Sequence, residues 1–254
     1  MNALLTGDMR RDPTDFRERT YRDISLNKYL TYSNIIICNT DLFVGTDSDL
    51  KEVAFRSILE HRTQIESYAR RHQQFLTSLN PLRYDDLAPD IVREMLTAAV
   101  LTGVGPMASV AGAIADHVGR DLECYSKNVI VENGGDLYLR SFSDLRVGIF
   151  AADSPFSKKM AIGIQKEEMP LGLCTSSSSV GHSLSFGCAD AVCVKAKSSA
   201  LADAAATALG NQIHAKKNVR QILEKGMKIQ NVLGVIIIIG DQMGVIGDME
   251  LVEL

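Results

Sequence analysis

LGLCTSSSSVGHSLSFGCADAVCVKAKSSALADAAATALGN, residues 171–211, decides the fold, because strand, loop and helix signals follow one another within it. LGLC and AVCVKA are short apolar runs of strand size. The Ser/Thr run at 175–179 lies between LGLC and the strand-like HSLSF and reads as a loop. Hydroxyls and free backbone N–H groups in such a loop suit phosphate oxygens. A plain polar turn is the competing reading. SALADAAATAL has no Gly or Pro, Ser198 and Ser199 supply N-cap chemistry, and Gly210-Asn211 marks a stop. Asp203 and Thr207 are four residues apart, so they share one helix face about one turn apart. A carboxylate and a hydroxyl so placed can share a hard cation such as Mg²⁺. A tightly packed helix with one solvated Asp is the alternative, and the helix alone leaves both open.

Outward from this stretch, the C-terminal side continues helically through His214–Lys225. VLGVIIIIGDQMGVIGDMELVEL then closes with strands around Gly240-Asp241. On the N-terminal side, 160–165 is a strand. NVIVE and DLYLRS form a hairpin hinged at Asn133-Gly134-Gly135, with Asp136 at the turn. PMASVAGAIADHV reads as a helix from Pro106 to Val118, ended by Gly119. Its small residues Ala108, Ala111, Gly112 and Ala115 mark a close approach. That approach is either helix packing or an anionic group held at the GVGP turn and helix N-terminus.

Further out, Pro89 takes the N1 position of a helix over Ile91–Leu101. Residues 49–79 follow one helical period in which Leu76 and Leu79 belong to the apolar stripe. Residues 21–46 read as two or three strands with Asn39-Thr40-Asp41 as a turn. Strands therefore come in hairpin-like runs separated by helices, not as βαβ crossovers. The fold class is α+β, mostly antiparallel sheets with packed helices. Residues 1–20 read as a loose N-terminal arm and 21–254 as a single domain.

A net charge of −4 over 254 residues argues against nucleic acid as the main partner, whose phosphates call for a basic surface. No apolar run is long enough to span a membrane, and the N-terminus lacks a secretory h-region, so a cytoplasmic protein is expected. The five cysteines form no CxxC pair, so neither a disulfide framework nor a structural zinc site is expected. A reactive thiol at Cys174 or Cys188, flanking the loop, is a minor reading. The apolar C-terminal strands suggest an edge that pairs two copies into a homodimer.

GVGPMASVAGAIADHVG, VIVENGGDLYL, CTSSSSVGHSLSFGCADAV and ALADAAATALGN, in this order, resemble the ApbE-like family. More closely, they are similar to its uncharacterised cytosolic branch, related to the ApbE of thiamine biosynthesis. The resemblance covers residues 20–250 and implies a T-fold-related architecture. ApbE proper is a Mg²⁺-dependent transferase that cleaves FAD and attaches FMN to a Thr or Ser of an acceptor protein. Carried across, the resemblance implies a cation on Asp203, Thr207 and the backbone carbonyl of Ala108. It places Gly134, Gly135 and Asp136 near the ligand, and Thr175, Ser176 and Ser177 by its phosphates. In ApbE proper an Asp precedes the small-residue helix and a Lys or Glu lies within it; here Gly105 and Ala111 stand in those places.

The expected function is a Mg²⁺-dependent flavin (FAD/FMN) transferase or an enzyme processing a nucleotide diphosphate. His182, whose ordinary pKa lies near neutrality, is its proton-transfer residue. The alternative is a non-enzymatic flavin or nucleotide binder acting in sulfur assimilation and homocysteine formation, with which members of this branch have been linked.

Overall fold

A computed structural model describes residues 29–177 and 187–254. The expected N-terminal arm therefore lies outside the described residues. Eight strands form one antiparallel sheet: β1 (Thr31–Ile37), β2 (Thr40–Thr46), β3 (Val129–Asn133), β4 (Asp136–Arg140), β7 (Leu171–Ser176), β8 (Ala191–Ala196), β9 (Val232–Ile239) and β10 (Gln242–Gly247), adjacent in that order. A second antiparallel sheet joins β5 (Leu145–Gly148), β6 (Met160–Ile164) and β11 (Glu250–Glu253), with β6 central. The α+β, antiparallel expectation holds.

Alternation along the strands builds two cores. Leu42, Val44, Val129, Val131 and Tyr138, and further along the sheet Val192, Val194, Val235 and Ile237, pack with the helices. Leu139, Leu171, Leu173, Cys193, Ile236 and Ile238 point the other way, against Leu145, Ile162 and Ile164 of the small sheet. The helices are α1 (Lys51–Arg71), α2 (Gln74–Thr77), α3 (Asp90–Thr102), α4 (Val110–Leu122), α5 (Ser199–Gly210) and α6 (Val219–Gly226).

Three helix expectations need correction. The run 49–79 is not one helix: α1 ends at Arg71, where the His72 N–H turns back onto the Tyr68 and Ala69 carbonyls. The break lets Phe75 enter the core edge-on to Tyr68, while Leu76 and Leu79 are left exposed. Burial of one aromatic ring outweighs continuation of the stripe. The segment after Gly105 begins as a 3-10 turn, Pro106–Ser109, before α4 proper. Gly119 does not end α4, because its missing Cβ makes room for the Tyr138 ring, which a Cβ would approach to 2.1 Å. Likewise the helical run expected over His214–Lys225 breaks into a 3-10 turn at Lys216–Asn218 and α6.

Between the two sheets sits Lys195, fully buried on β8, its ammonium 2.6 Å from Glu168 and 2.9 Å from Asp248. Burying this charge is tolerable only because both carboxylates meet it. It ties the small sheet's flanking segments to the large sheet.

On the helical side, a polar cluster joins α1, α3 and α4. Asp121 accepts from Ser57 at 2.6 Å and lies 2.9 Å from His61. Glu94 meets His117 at 3.2 Å and both Arg120 nitrogens at 2.8 and 2.6 Å. Burial disfavours the Glu94 carboxylate, but His117 and Arg120 outweigh it and hold the group at about 2, below its ordinary 4.5. A carboxyl depressed in the folded state adds stability above its unfolded pKa and loses it as pH falls through the folded one. Glu94→Gln is therefore expected to lower the urea midpoint at pH 7. It should also flatten the loss of stability between about pH 4.5 and pH 2 that the unaltered protein shows. Parallel acid limbs in urea denaturation would rule this out.

Candidate functional site

Strand direction gathers the candidate residues at one end of the large sheet. β3 and β7 run toward it, β2, β4 and β8 away, so the β1–β2 turn, the β3–β4 hairpin and the end of β7 lie together. The hairpin pairs Asn133 with Asp136, and Gly134 and Gly135 take φ of 69° and 107°. The tight turn by itself accounts for both glycines. Gly134 is exposed, Gly135 half-buried, and Asp136 buried beside Cys174 on β7. The Gly135 carbonyl accepts the Thr175 N–H at 3.2 Å, and its N–H donates to Glu132 at 3.0 Å.

Strand alternation separates the hydroxyls that the sequence grouped. Thr175 lies opposite Cys193, on the small-sheet face, and its hydroxyl donates to the Cys193 sulfur at 3.2 Å. Ser176 takes the helix face, where its Oγ lies 3.6 Å from the point a Cβ on Gly210 would occupy. Ser177 is half-buried at the strand's end. Residues 178–186, with His182, lie outside the described residues.

α5 lies over β7 and β8, and its alanines bury against them. Ten of its twelve residues are buried; the two that are not are Asp203 and Thr207. The spacing of four thus puts both on the accessible face. Asp203 Oδ2 accepts the Gly112 N–H at 2.9 Å, so the carboxylate sits at the N-terminal turn of α4. Asn133 donates to the Ala111 carbonyl at 3.0 Å, which joins that turn to the hairpin. The 3-10 turn bearing half-buried Ala108 packs against α5. The end of β7, the hairpin, the small-residue helix and the Asp/Thr helix therefore meet at this end of the sheet.

Electrostatically the place is acidic. Burial raises the Asp203 carboxyl and the nearby Asp116 raises it further, against the hydrogen bonds from Gly112 and Ala111. No basic side chain pairs with Asp203 among the described residues. Such a carboxylate gains from a cation. Among the described residues no three His, Cys, Asp or Glu side chains gather as a metal cluster. A site here would rest on one carboxylate, a hydroxyl and a carbonyl. Those are oxygen donors of the kind a hard cation takes.

Cys174 is no nucleophile. It is fully buried, donates to the Ser199 carbonyl at 3.3 Å, and its thiol is pushed well up by burial and by Asp136, Asp203 and Asp116. An activated thiol needs the opposite surroundings. Cys188 is exposed.

A family model described as AbpE bacteria matches residues 30–245. The chain belongs to the AbpE bacteria family. Among its relatives, UPF0280 protein MJ1526 of Methanocaldococcus jannaschii is 42% identical over 226 residues, 86% of this chain and 92% of that one. A UPF0280 protein of Methanothrix thermoacetophila is 41% identical over 202 residues, 78% and 84% of the two chains. The fold is similar to that of the flavin transferase ApbE from Vibrio cholerae, with TM-score 0.56 at 13% identity, over 86% of this chain and 96% of that one. The flavinyl transferase ApbE of Pseudomonas stutzeri gives 0.56 at 14%, over 86% and 94%.

In the AbpE bacteria chain, Gly105 lies against the backbone that follows α2. A Cβ there would lie 1.8 Å from the Ser78 carbonyl oxygen and 3.1 Å from the Leu79 Cα. The backbone after α2 fills the space a side chain would need. The sequence could not show this, because the break at His72 that brings Ser78 round lies inside a helical period. Asp116 was missed too: it reads as one more polar residue on a helix, and its partners lie over 80 positions away. No single helix among the described residues is long and apolar enough to cross a membrane.

Proposed function

We propose that the protein binds a flavin or nucleotide diphosphate at the hairpin end of the large sheet and acts on it as a divalent-cation-dependent transferase. The observation that carries this is the half-buried pair Asp203 and Thr207 on an otherwise buried helix, with no basic partner for the carboxylate among the described residues. Asp203, Thr207 and the Ala108 carbonyl would hold Mg²⁺, which supplies charge neutralisation of a diphosphate and assistance to its cleavage. The Thr207 hydroxyl shares the half-buried face of α5 with the Asp203 carboxylate, one turn away. The Gly112 and Ala111 N–H groups hold the Asp203 carboxylate in place at the start of α4. Gly134 and Gly135 leave the hairpin tip without side chains, so a ligand can approach its backbone. Ser176 and Ser177 lie at the end of β7, where the phosphates would be bound. The proton transfer expected of His182 belongs to this reading, as does an acceptor protein.

The test is incubation of the purified protein with FAD, with and without Mg²⁺, following flavin fluorescence and AMP release. Mg²⁺-dependent binding with AMP release supports the proposal. Absence of FAD binding at millimolar Mg²⁺ overturns it. Binding with no product on long incubation replaces the transferase with the carrier reading.

A further inference from the structure

α4 and α5 pass each other in opposite directions, and each presents an Asp to the other's N-terminal turn. Asp116 on α4 is 2% exposed; its Oδ1 accepts the Ser199 N–H at 2.8 Å and its Oδ2 the Ala200 N–H at 2.9 Å. In return, Asp203 on α5 accepts the Gly112 N–H. Free N–H groups at a helix start usually turn to a residue of their own chain segment. α5 already has that: the Ser198 side chain accepts the Leu201 N–H at 3.2 Å. Asp116 therefore does something a local cap cannot, which is to bind one helix to the other. The approach is tight, since a Cβ on Gly112 would lie 2.2 Å from the Ser199 carbonyl oxygen and 2.8 Å from the Asp203 Cβ. A slide of one residue between the helices would break these hydrogen bonds at once.

We propose that Asp116 is a positioning residue for the cation site: by fixing the start of α5 against α4, it sets where Asp203 and Thr207 stand relative to Ala108. This rests on the reading of Asp203 and Thr207 as cation donors. Asp203 is one turn from the residues Asp116 holds, and Ala108 lies on the turn leading into α4, so the donors come from both sides of the contact that Asp116 locks. Binding at the site and the Asp116 bonds are then linked, each strengthening the other.

Mn²⁺ binding to the purified full chain, followed by electron paramagnetic resonance, tests this without any turnover. Asp116→Asn keeps one acceptor oxygen and is expected to weaken the Mn²⁺ Kd about tenfold or more, as loss of an outer partner of a metal ligand does. Ser198→Ala removes the local cap of the same helix and is expected to leave the Kd within about twofold of the parent, because the register survives. Should Asp116→Asn fail to fold, amide exchange on the unaltered protein decides. Mg²⁺ is expected to slow exchange at Ser199 and Ala200, whose N–H groups touch Asp116 and not the proposed donors. An unchanged Kd in Asp116→Asn, equal weakening in Ser198→Ala, or unchanged exchange at Ser199 and Ala200 overturns the inference. Failure of the unaltered protein to bind Mn²⁺ at all overturns the cation reading itself, a separate outcome.

Discussion

Gly105→Asp is expected to destabilise the protein by about 3 kcal/mol or more, the upper range for overpacking. The cause is backbone, not charge: a Cβ at this position would stand 1.8 Å from the Ser78 carbonyl oxygen. Gly105→Ala should therefore cost nearly as much. Gly103 two residues earlier is the control. It has φ +77° with nothing near its missing side chain, so Gly103→Ala pays only conformational strain, about 1 kcal/mol. Urea midpoints of the three variants check the order. If Gly105→Asp unfolds with the parent midpoint, the segment at Ser78 is free to move and the site has no fixed wall there. The same geometry means that any side chain at position 105 requires the chain after α2 to be rebuilt with it.

Asp203→Ala is expected to weaken Mn²⁺ binding on the order of a hundredfold, about 2.7 kcal/mol, and to abolish any cation-dependent turnover. Thr207→Val, which keeps the shape and removes the hydroxyl, should weaken it about tenfold. Stability should move little in Asp203→Ala. The variant loses the acceptor for the Gly112 N–H, worth about 1 kcal/mol, but also removes a carboxylate that burial disfavours. A Mn²⁺ titration and a urea curve on each variant separate binding from folding. Undiminished Mn²⁺ affinity in Asp203→Ala would move the cation elsewhere.

Much of this was legible in the sequence where short-range rules govern. The Asn133-Gly134-Gly135-Asp136 hairpin, the limits of α5 and the shared helix face of Asp203 and Thr207 follow from turn chemistry and helical spacing alone. What was not legible depends on partners far along the chain. Lys195 reads as a solvated residue at the end of a strand, yet it is buried because Glu168 and Asp248 arrive from two separate segments. Thr175 and Ser176 read as one hydroxyl group, yet the strand continues through Ser176 and sends them to opposite faces. Leu76 and Leu79 fit the helical stripe, and only the three-dimensional demand of Phe75 for the core shows why they stay outside.

The small sheet is assembled from distant parts of the chain, with Glu250 on β11 lying against Gly163 on β6 and all of β7–β10 intervening. Closing that loop fixes a long stretch of chain before any contact rewards it. The β5–β6 hairpin is local, so β11 is the strand of this sheet whose docking waits on the rest of the chain. Until β11 docks, the small sheet over the Leu171, Leu173 and Ile236 face lacks its third strand. That interval is when the chain is most prone to associate with other unfolded copies, and the last strand's docking ends it.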